Sequence, residues 1–420
     1  MPSTSNAPDV HRSYRLALAA LCLSQMTSWG IVFYAFPVLA SSIATDTGWS
    51  NSVVMGAFSV GLAVSAIAGV PIGRLLDRLG PRPVMTGGSV LAALSLVGVS
   101  IAPTATWFAL AWAFGGIAQA GVFYKPAVAA VTVWFGASRV KALTVLMLAG
   151  GLASTIFAPF TAVLMENLTW RETYMLLAVI LAAITIPLHA VFLRVPWPGL
   201  PRPSEAESRT PHSRRDRIPT SPRFLILAAS FTIGAFVMFT ALICLVPLLT
   251  EQGLSATAAA WALGLSGLGQ VAGRLGYETF VKHTTVTTRT LWVFGGAGVT
   301  TVAVGLIGSP ASVVMVLVLL MGVFRGAFTL LEATAVSDRW GSSSFGFRYG
   351  LFGLPSTMAI AMSPWAGAVL ASWLGSYSTL FWWLGISTAI AVILAAITAH
   401  RPHHPRRHNV APRSTSAAYG

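Results

Sequence analysis

From Arg15 to His400 the chain alternates long apolar runs with short polar breaks. A helix needs about 20 apolar residues to cross the hydrocarbon core of a bilayer, and twelve runs reach that length: 16–44, 50–76, 83–102, 106–135, 139–165, 172–194, 223–250, 255–281, 289–308, 311–337, 344–373 and 376–399. The pattern predicts an all-α, polytopic membrane protein with twelve transmembrane helices. The first run is roughly twice the length of a signal-peptide core, so it is expected to remain as an anchor. The runs form two sets of six, 16–194 and 223–399, joined by a polar connector, 195–222, and flanked by a lead, 1–15, and a tail, 400–420.

Composition agrees with this pattern. A chain of 420 residues that is 55% hydrophobic and 9% charged, with a mean hydropathy of +0.74, has too little polar surface to cover a soluble globule. The formal charge of +14 would suit nucleic acid, but the cations fall at the ends of apolar runs, where membrane topology explains them. No nucleic-acid partner is expected. With both termini cytoplasmic, the inside segments hold Arg12, Arg15, Arg78, Arg82, Arg139, Lys141, the connector, Lys282, Arg289, Arg339 and the tail arginines, whereas the outside segments hold only Arg171. This asymmetry predicts a multi-pass protein of the cell membrane. The connector has seven prolines, five arginines and almost no apolar residues, so it reads as a flexible cytoplasmic linker. The tail, with His-Arg-Pro-His-His-Pro-Arg-Arg-His, reads as a solvated basic segment near anionic lipid. Cys22 and Cys244 both lie in apolar runs and read as small core residues. Neither a metal nor a cofactor is expected.

The two sets repeat one another. Gly136 and Gly341, Pro159 and Pro364, and Gly48 and Gly253 stand at one common separation, and Gly73-Arg-Leu75 returns as Gly273-Arg-Leu275. The first copy continues into Gly73-Arg-Leu-Leu-Asp77-Arg78-Leu-Gly80-Pro-Arg82. This stretch resembles the loop signature between the second and third helices of the major facilitator superfamily, Gly-x-Leu-x-Asp-Arg-x-Gly-x-Arg, at every fixed position. The resemblance implies two pseudo-symmetric six-helix bundles with a substrate site near mid-membrane between them. It also implies a cytoplasmic latch made by Gly73, Asp77, Arg78, Gly80 and Arg82, with Asp77 pairing in one conformation and released in the other.

Ionisable groups inside spans are costly in hydrocarbon and need a partner or a wet cavity. Lys125 lies about 15 Å from the cytoplasmic end of the fourth span at 1.5 Å per residue, next to Tyr124 and to Pro126, which should kink the helix. A cavity-facing role competes with snorkelling to the interface. Arg325 and Glu332 lie in the tenth span, seven residues apart and on nearly one face, so they either bracket one cavity or pair with other helices. Glu332 is the candidate proton-binding group. Arg274 closes Gly267-Leu-Gly269-Gln270-Val-Ala-Gly273-Arg274 in the eighth span, and either faces the substrate or only repeats Arg74 at a helix end.

This last stretch also resembles the monocarboxylate-carrier and oxalate/formate-antiporter branch, which implies that Arg274 binds a substrate carboxylate. Gln270 stands where those carriers often have an aspartate. Trp134-Phe135-Gly-Ala-Ser-Arg139-Val-Lys141, leading into Ala149-Gly-Gly-Leu-Ala-Ser154, is similar to the fifth-helix signature of the branch, and Ser28-Trp29-Gly30 is similar to its first-helix motif. The Gly-Pro signature of drug antiporters is missing from the fifth span, which has Ala158-Pro159.

The expected function is secondary active transport of a small organic anion, a carboxylate, by alternating access with proton coupling. Candidate substrate residues are Tyr34, Tyr124, Lys125, Gln270, Arg274 and Arg325. The partners are a small-molecule substrate, protons or another coupling ion, and the lipid bilayer, with the chain as a monomer. Two alternatives remain: an exporter of amphipathic drugs or natural products, walled by Trp29, Phe33, Tyr34 and Phe328, and a non-transporting receptor on the same fold. An enzyme is not expected, because no nucleophile, base and orienting group come together.

Overall fold

The computed structural model describes residues 7–198, 221–340 and 345–398. Residues 199–220 of the expected linker, the 400–420 tail, the first six residues of the lead and Gly341 lie outside the described residues.

Among the described residues, twelve long helices form the fold. In the first set these are α1 (Arg12–Thr47), α2 (Asn51–Leu79), α3 (Pro81–Ser100), α4 (Ala105–Val122, then Tyr124–Phe135), α5 (Arg139–Gly151, then Ala153–Met165) and α6 (Trp170–Phe192). The second set comprises α7 (Pro222–Ile243, then Leu245–Glu251), α8 (Ala256–His283), α9 (Val286–Leu306), α10 (Ala311–Thr334), α11 (Phe345–Leu374) and α12 (Tyr377–Ile397). Eleven are long and apolar enough to cross a membrane. The remaining one, α8, has 28 residues but carries Gln270, Arg274, Glu278 and Lys282. Helix starts are set by hydroxyl caps: Ser50, Thr104, Ser221, Ser255, Thr285 and Ser376 each accept from a backbone N–H three residues on, satisfying donors that a helix start leaves open. Thr169 and Glu172 form a full capping box.

The bundle has two unlike ends. At the far end lie the turns 47–51, 100–105, 165–170, 251–256, 306–311 and 374–377. There a single apolar cluster draws on both sets, with Phe36, Phe58 and Trp112 packed in one body with Leu242, Leu248 and Leu263. At the connector end each set has its own cluster. Leu21, Met85, Val131, Trp134 and Leu193 pack together in the first, and Phe224, Phe231, Phe294, Phe328 and Phe352 in the second. The two sets are thus closed on each other at the far end and parted at the connector end.

Three hydrogen bonds between the sets lie along the closed part. The Ser59 hydroxyl accepts from the Trp365 N–H at 3.0 Å, Thr155 donates to the Gly264 carbonyl at 2.9 Å, and Thr257 donates to Glu166 at 3.2 Å. Within the second set, α8 and α10 run backbone against backbone. Gly269 and Gly273 abut the carbonyls of Leu319 and Val323, Gly322 and Gly326 abut those of Ser266 and Gln270, and none of the four leaves room for a Cβ.

At the connector end α2 stops at Gly80, whose φ of 80° suits glycine, and Pro81 opens α3. The residues after α6 are packed, although they opened the expected linker. Val195 is buried, the Trp197 ring lies against Gly80, and Trp197 Nε1–H donates to the Asp77 carbonyl at 3.4 Å. Trp134 donates in turn to the Pro196 carbonyl at 3.3 Å. Two indoles explain the docking: Trp134 buries its ring and Trp197 half-buries its own, and each satisfies its N–H on a backbone carbonyl.

Candidate functional site

Two of the helices that line the centre are interrupted there. A π-helical turn over Gly30–Tyr34 interrupts α1, and α4 breaks at Phe123 just ahead of Tyr124-Lys125-Pro126, where proline removes a backbone donor. These two breaks present Trp29, Phe33, Phe123, Tyr124 and Lys125 to a cavity of about 250 Å³ between the sets. Across it stand Phe239 of α7 and Thr357 and Ile360 of α11, with Leu62 and Ser65 of α2 at the side. Trp29 stacks on Phe123 at 4.1 Å and meets Phe33 edge-on at 5.4 Å.

Five of the six substrate candidates converge beside this cavity. Arg325 of α10 is 3% exposed. Its Nη2 donates to the Ser266 hydroxyl at 3.2 Å, while Nε and Nη1 have no partner. Tyr34 and Arg274 are the titratable groups that face it. Arg274 of α8 donates to the Thr329 hydroxyl at 3.3 Å and to the Met147 carbonyl of α5, so it ties the two sets together. The Tyr124 hydroxyl faces Arg274 and occupies the space left by Gly150, while Arg274 itself lies against Gly151. The small residues of the fifth-helix signature therefore make room for this pair. Gln270 is buried one turn before Arg274, and the glycine contact of α8 with α10 is what holds Arg274 and Arg325 within reach of each other.

The other candidates lie apart from this group. Lys125 is exposed to the cavity with its ammonium beside Gly69 of α2. Glu332 sits in the last turn of α10, because the helix ends at Thr334 and not at 337 as the apolar run suggested. Its neighbours are Ser356 and Tyr349 of α11, whereas those of Arg325 are Ser266, Tyr34 and Arg274, so the two face different surroundings. Phe328, expected as a cavity wall, is instead core, between Phe231 at 5.8 Å and Phe294 at 5.9 Å.

The signature loop shows a further arrangement. Asp77, Arg78 and Arg82 are exposed, and Arg82 Nε donates to the Ala190 carbonyl at 2.9 Å. Among the described residues the ion pairs are Arg171–Asp46, Lys282–Glu278 and Arg289–Asp338. None involves Asp77, and none involves Lys125, Arg274 or Arg325. Arg171, at the far end, serves structure, lying 4.3 Å from the Trp170 ring centroid and donating to the carbonyls of Ser100 and Ala102.

Sequence reasoning missed Gln119, which borders the cavity with no hydrogen-bond partner for either side-chain polar atom. It also missed His189, buried in α6 and hydrogen-bonded to Ser89 at 2.8 Å. A charge inside an apolar run draws attention by its cost; a neutral amide does so only through its contacts.

Comparison with known proteins places these features in context. Residues 21–319 match the Major Facilitator Superfamily. Among curated proteins, "Monocarboxylate transporter 11" of Homo sapiens is 29% identical over 283 residues, covering 65% of this chain and 57% of that protein. The "Fujikurins efflux protein" of Gibberella fujikuroi is 23% identical over 302 residues, covering 71% of this chain and 63% of that one. The chain thus spans less than two thirds of the length of these relatives. Among solved structures, a bacterial homologue of the human lysosomal transporter Spinster, inward-facing and occupied, superposes with a TM-score of 0.68 at 18% identity, covering 92% of this chain and 96% of that one. That likeness is one of fold.

Proposed function

Because the chain belongs to the Major Facilitator Superfamily, we propose that it is a secondary active transporter that moves a small carboxylate across the cytoplasmic membrane by alternating access. The observation that carries this reading is Arg325. A guanidinium buried in the centre of the fold, with two nitrogens unpartnered, a second arginine facing it and no carboxylate paired to either among the described residues, requires a counter-charge from outside. A carboxylate supplies it, in the bidentate geometry that a guanidinium favours. Tyr34 and Tyr124 would donate further hydrogen bonds, Gln270 would border the anion, and Lys125 would draw it in from the cavity. The resemblance to a monocarboxylate transporter supports the same class.

The charge asymmetry supports a cytoplasmic connector end, so this conformation reads as open to the cytoplasm. Asp77, exposed and without an ion pair among the described residues, then reads as the released half of the latch, which would pair when the connector end closes. Glu332 is the proposed proton site. It is half-buried on a helix that also carries Arg325, so proton binding there and anion binding at the centre would act on one rigid element.

The test is counterflow in proteoliposomes with labelled mono- and dicarboxylates, with and without a pH gradient. Carboxylates should exchange, and Arg325→Gln should lower exchange by about 30-fold or more, the equivalent of about 2 kcal/mol for a buried charge contact. Glu332→Gln should keep exchange but lose stimulation by the gradient. Competition by hydrophobic cations and by no carboxylate would overturn the reading. It would favour export of amphipathic compounds, which the aromatic wall of Trp29 and Phe33 and the resemblance to an efflux protein support as the second reading.

A further inference from the structure

The central cavity holds a polar group that anion binding does not use. Gln119 of α4 is 1% exposed, borders the cavity, and has no hydrogen-bond partner at either Oε1 or Nε2. Two other glutamines serve the backbone through Nε2 while their Oε1 atoms stay unpartnered: Gln25 Nε2 donates to the Val122 carbonyl at 2.6 Å, and Gln252 Nε2 to those of Val304 and Gly305 at 3.0 and 3.1 Å. Gln119 serves none. The indole N–H of Trp29, on the same cavity, is also buried and unpartnered. Leaving a buried carboxamide and an indole N–H unsatisfied is costly, and a leucine and a phenylalanine would fill the same wall without that cost.

Together the two side chains offer N–H donors and one carbonyl acceptor, set in a wall of aromatic rings. A group that both accepts and donates, a hydroxyl, satisfies both at once. The rings around it, Trp29 stacked on Phe123 and edge-on to Phe33, suit a flat apolar body. The volume of about 250 Å³ lies below the about 300–1,000 Å³ of sites for drug-sized ligands, so that body is of the order of one ring. The cations lie at other points of the same central region: Lys125 lines the cavity beside Gly69, and Arg274, which faces Tyr124, stands by Arg325.

We infer that Gln119 and Trp29 form a recognition subsite for a hydroxyl group carried on the ring of a cyclic, flat-bodied carboxylic acid, remote from its carboxylate. The inference rests on the carboxylate reading above and narrows it from short aliphatic acids to ring-bearing hydroxy acids. Gln119 acts here as a specificity determinant: it selects among acids, while the cations select for acids.

The experiment is competition against labelled exchange in proteoliposomes with two matched probes, 3-phenylpropanoate and 3-(4-hydroxyphenyl)propanoate. A site built to hydrogen-bond a hydroxyl penalises the analogue that lacks it, so in the unaltered protein the hydroxylated acid should compete about tenfold better, the equivalent of 1.4 kcal/mol. In Gln119→Leu the two acids should compete within about twofold of each other, and Trp29→Phe, which removes the N–H and shortens the ring system while keeping an aromatic face, should reduce the preference in part. Gln119→Met serves the same purpose if the leucine variant does not insert. Equal competition by the two acids in the unaltered protein, or a preference that survives both Gln119 variants, overturns this inference and leaves the carboxylate reading standing. Failure of both acids to compete overturns both.

Discussion

Two buried arginines of the second helix set stand in opposite circumstances. Arg289, 4% exposed at the connector end, meets Asp338 at 3.1 Å and donates to the carbonyls of Val281 and Thr284. Arg325, 3% exposed at the centre, has only Ser266. Burial puts the same demand on both charges, but the chain meets it from within at Arg289 and leaves it open at Arg325. Burial of a charge therefore does not point to a site by itself; the missing partner is what makes Arg325 the proposed one.

Replacing each arginine by methionine breaks this comparison most sharply. Arg325→Met removes an unpartnered buried charge, so the melting temperature should hold or rise while exchange is lost. Arg289→Met strands Asp338, which is 29% exposed and so partly solvated, and should cost about 1–3 kcal/mol of stability with little change in substrate preference. Thermal unfolding in detergent, read beside counterflow, separates the two. A fall in stability of equal size in both variants would mean that Arg325 is structural.

The next test concerns how Arg325 is held. Gly326→Ala forces a Cβ into the Gln270 carbonyl, and overpacking of this kind costs about 1–3 kcal/mol. Because it pushes α10 away from α8, it should weaken anion affinity as well as stability. The same substitution at Gly295, which has open space around it, is the control and should leave affinity unchanged.

What the sequence disclosed about this arrangement follows from what each residue costs locally. The helix spans were legible because hydrocarbon thickness sets their length: the run 139–165 is α5 to the residue. Lys125, Arg274 and Arg325 were legible because charge in an apolar run is rare. Glu332 looked deeper than it is because the run extends to 337 while α10 ends at Thr334; hydropathy does not register where a helix turns. Phe328 was placed on the cavity because aromatic residues suit cavity walls and cores alike. Thr155, Ser59 and Trp197 act across residues far apart in sequence, and nothing in their local pattern announces a partner. Gln119 stood out only once its neighbours were known.

The closed and parted ends sharpen the comparison further. The seam at the far end is held by apolar contact and single hydrogen bonds, and one such bond is worth about 0.5–1.5 kcal/mol net. Thr155→Val, which keeps the shape and removes the bond to Gly264, should shift the balance toward opening at the far end by roughly two- to tenfold. Reaction of a cysteine placed at Ser41 with a membrane-impermeant reagent reads the shift. No change in labelling would mean that the apolar cluster alone sets the balance.

The smallest effect is expected at Asp77, and it should appear only in the other conformation. Here its carboxylate has no ion pair among the described residues, so Asp77→Asn should leave the stability of this state unaltered. If the loop latches the connector end when that end closes, the same substitution removes one partly solvated ion pair from the closed state. That pair is worth about 0.2–1 kcal/mol, so the closed population should fall by at most about fivefold. Distances between spin labels at Arg78 and Arg339, recorded with and without substrate, would show the substrate-induced shortening reduced in the variant. Raising the salt concentration in the unaltered protein should do the same to a lesser degree, because an exposed pair is screened. If neither treatment changes the distance distribution, Asp77 serves only to end α2 at Gly80, and closure of the connector end is driven by the anion at Arg325 alone.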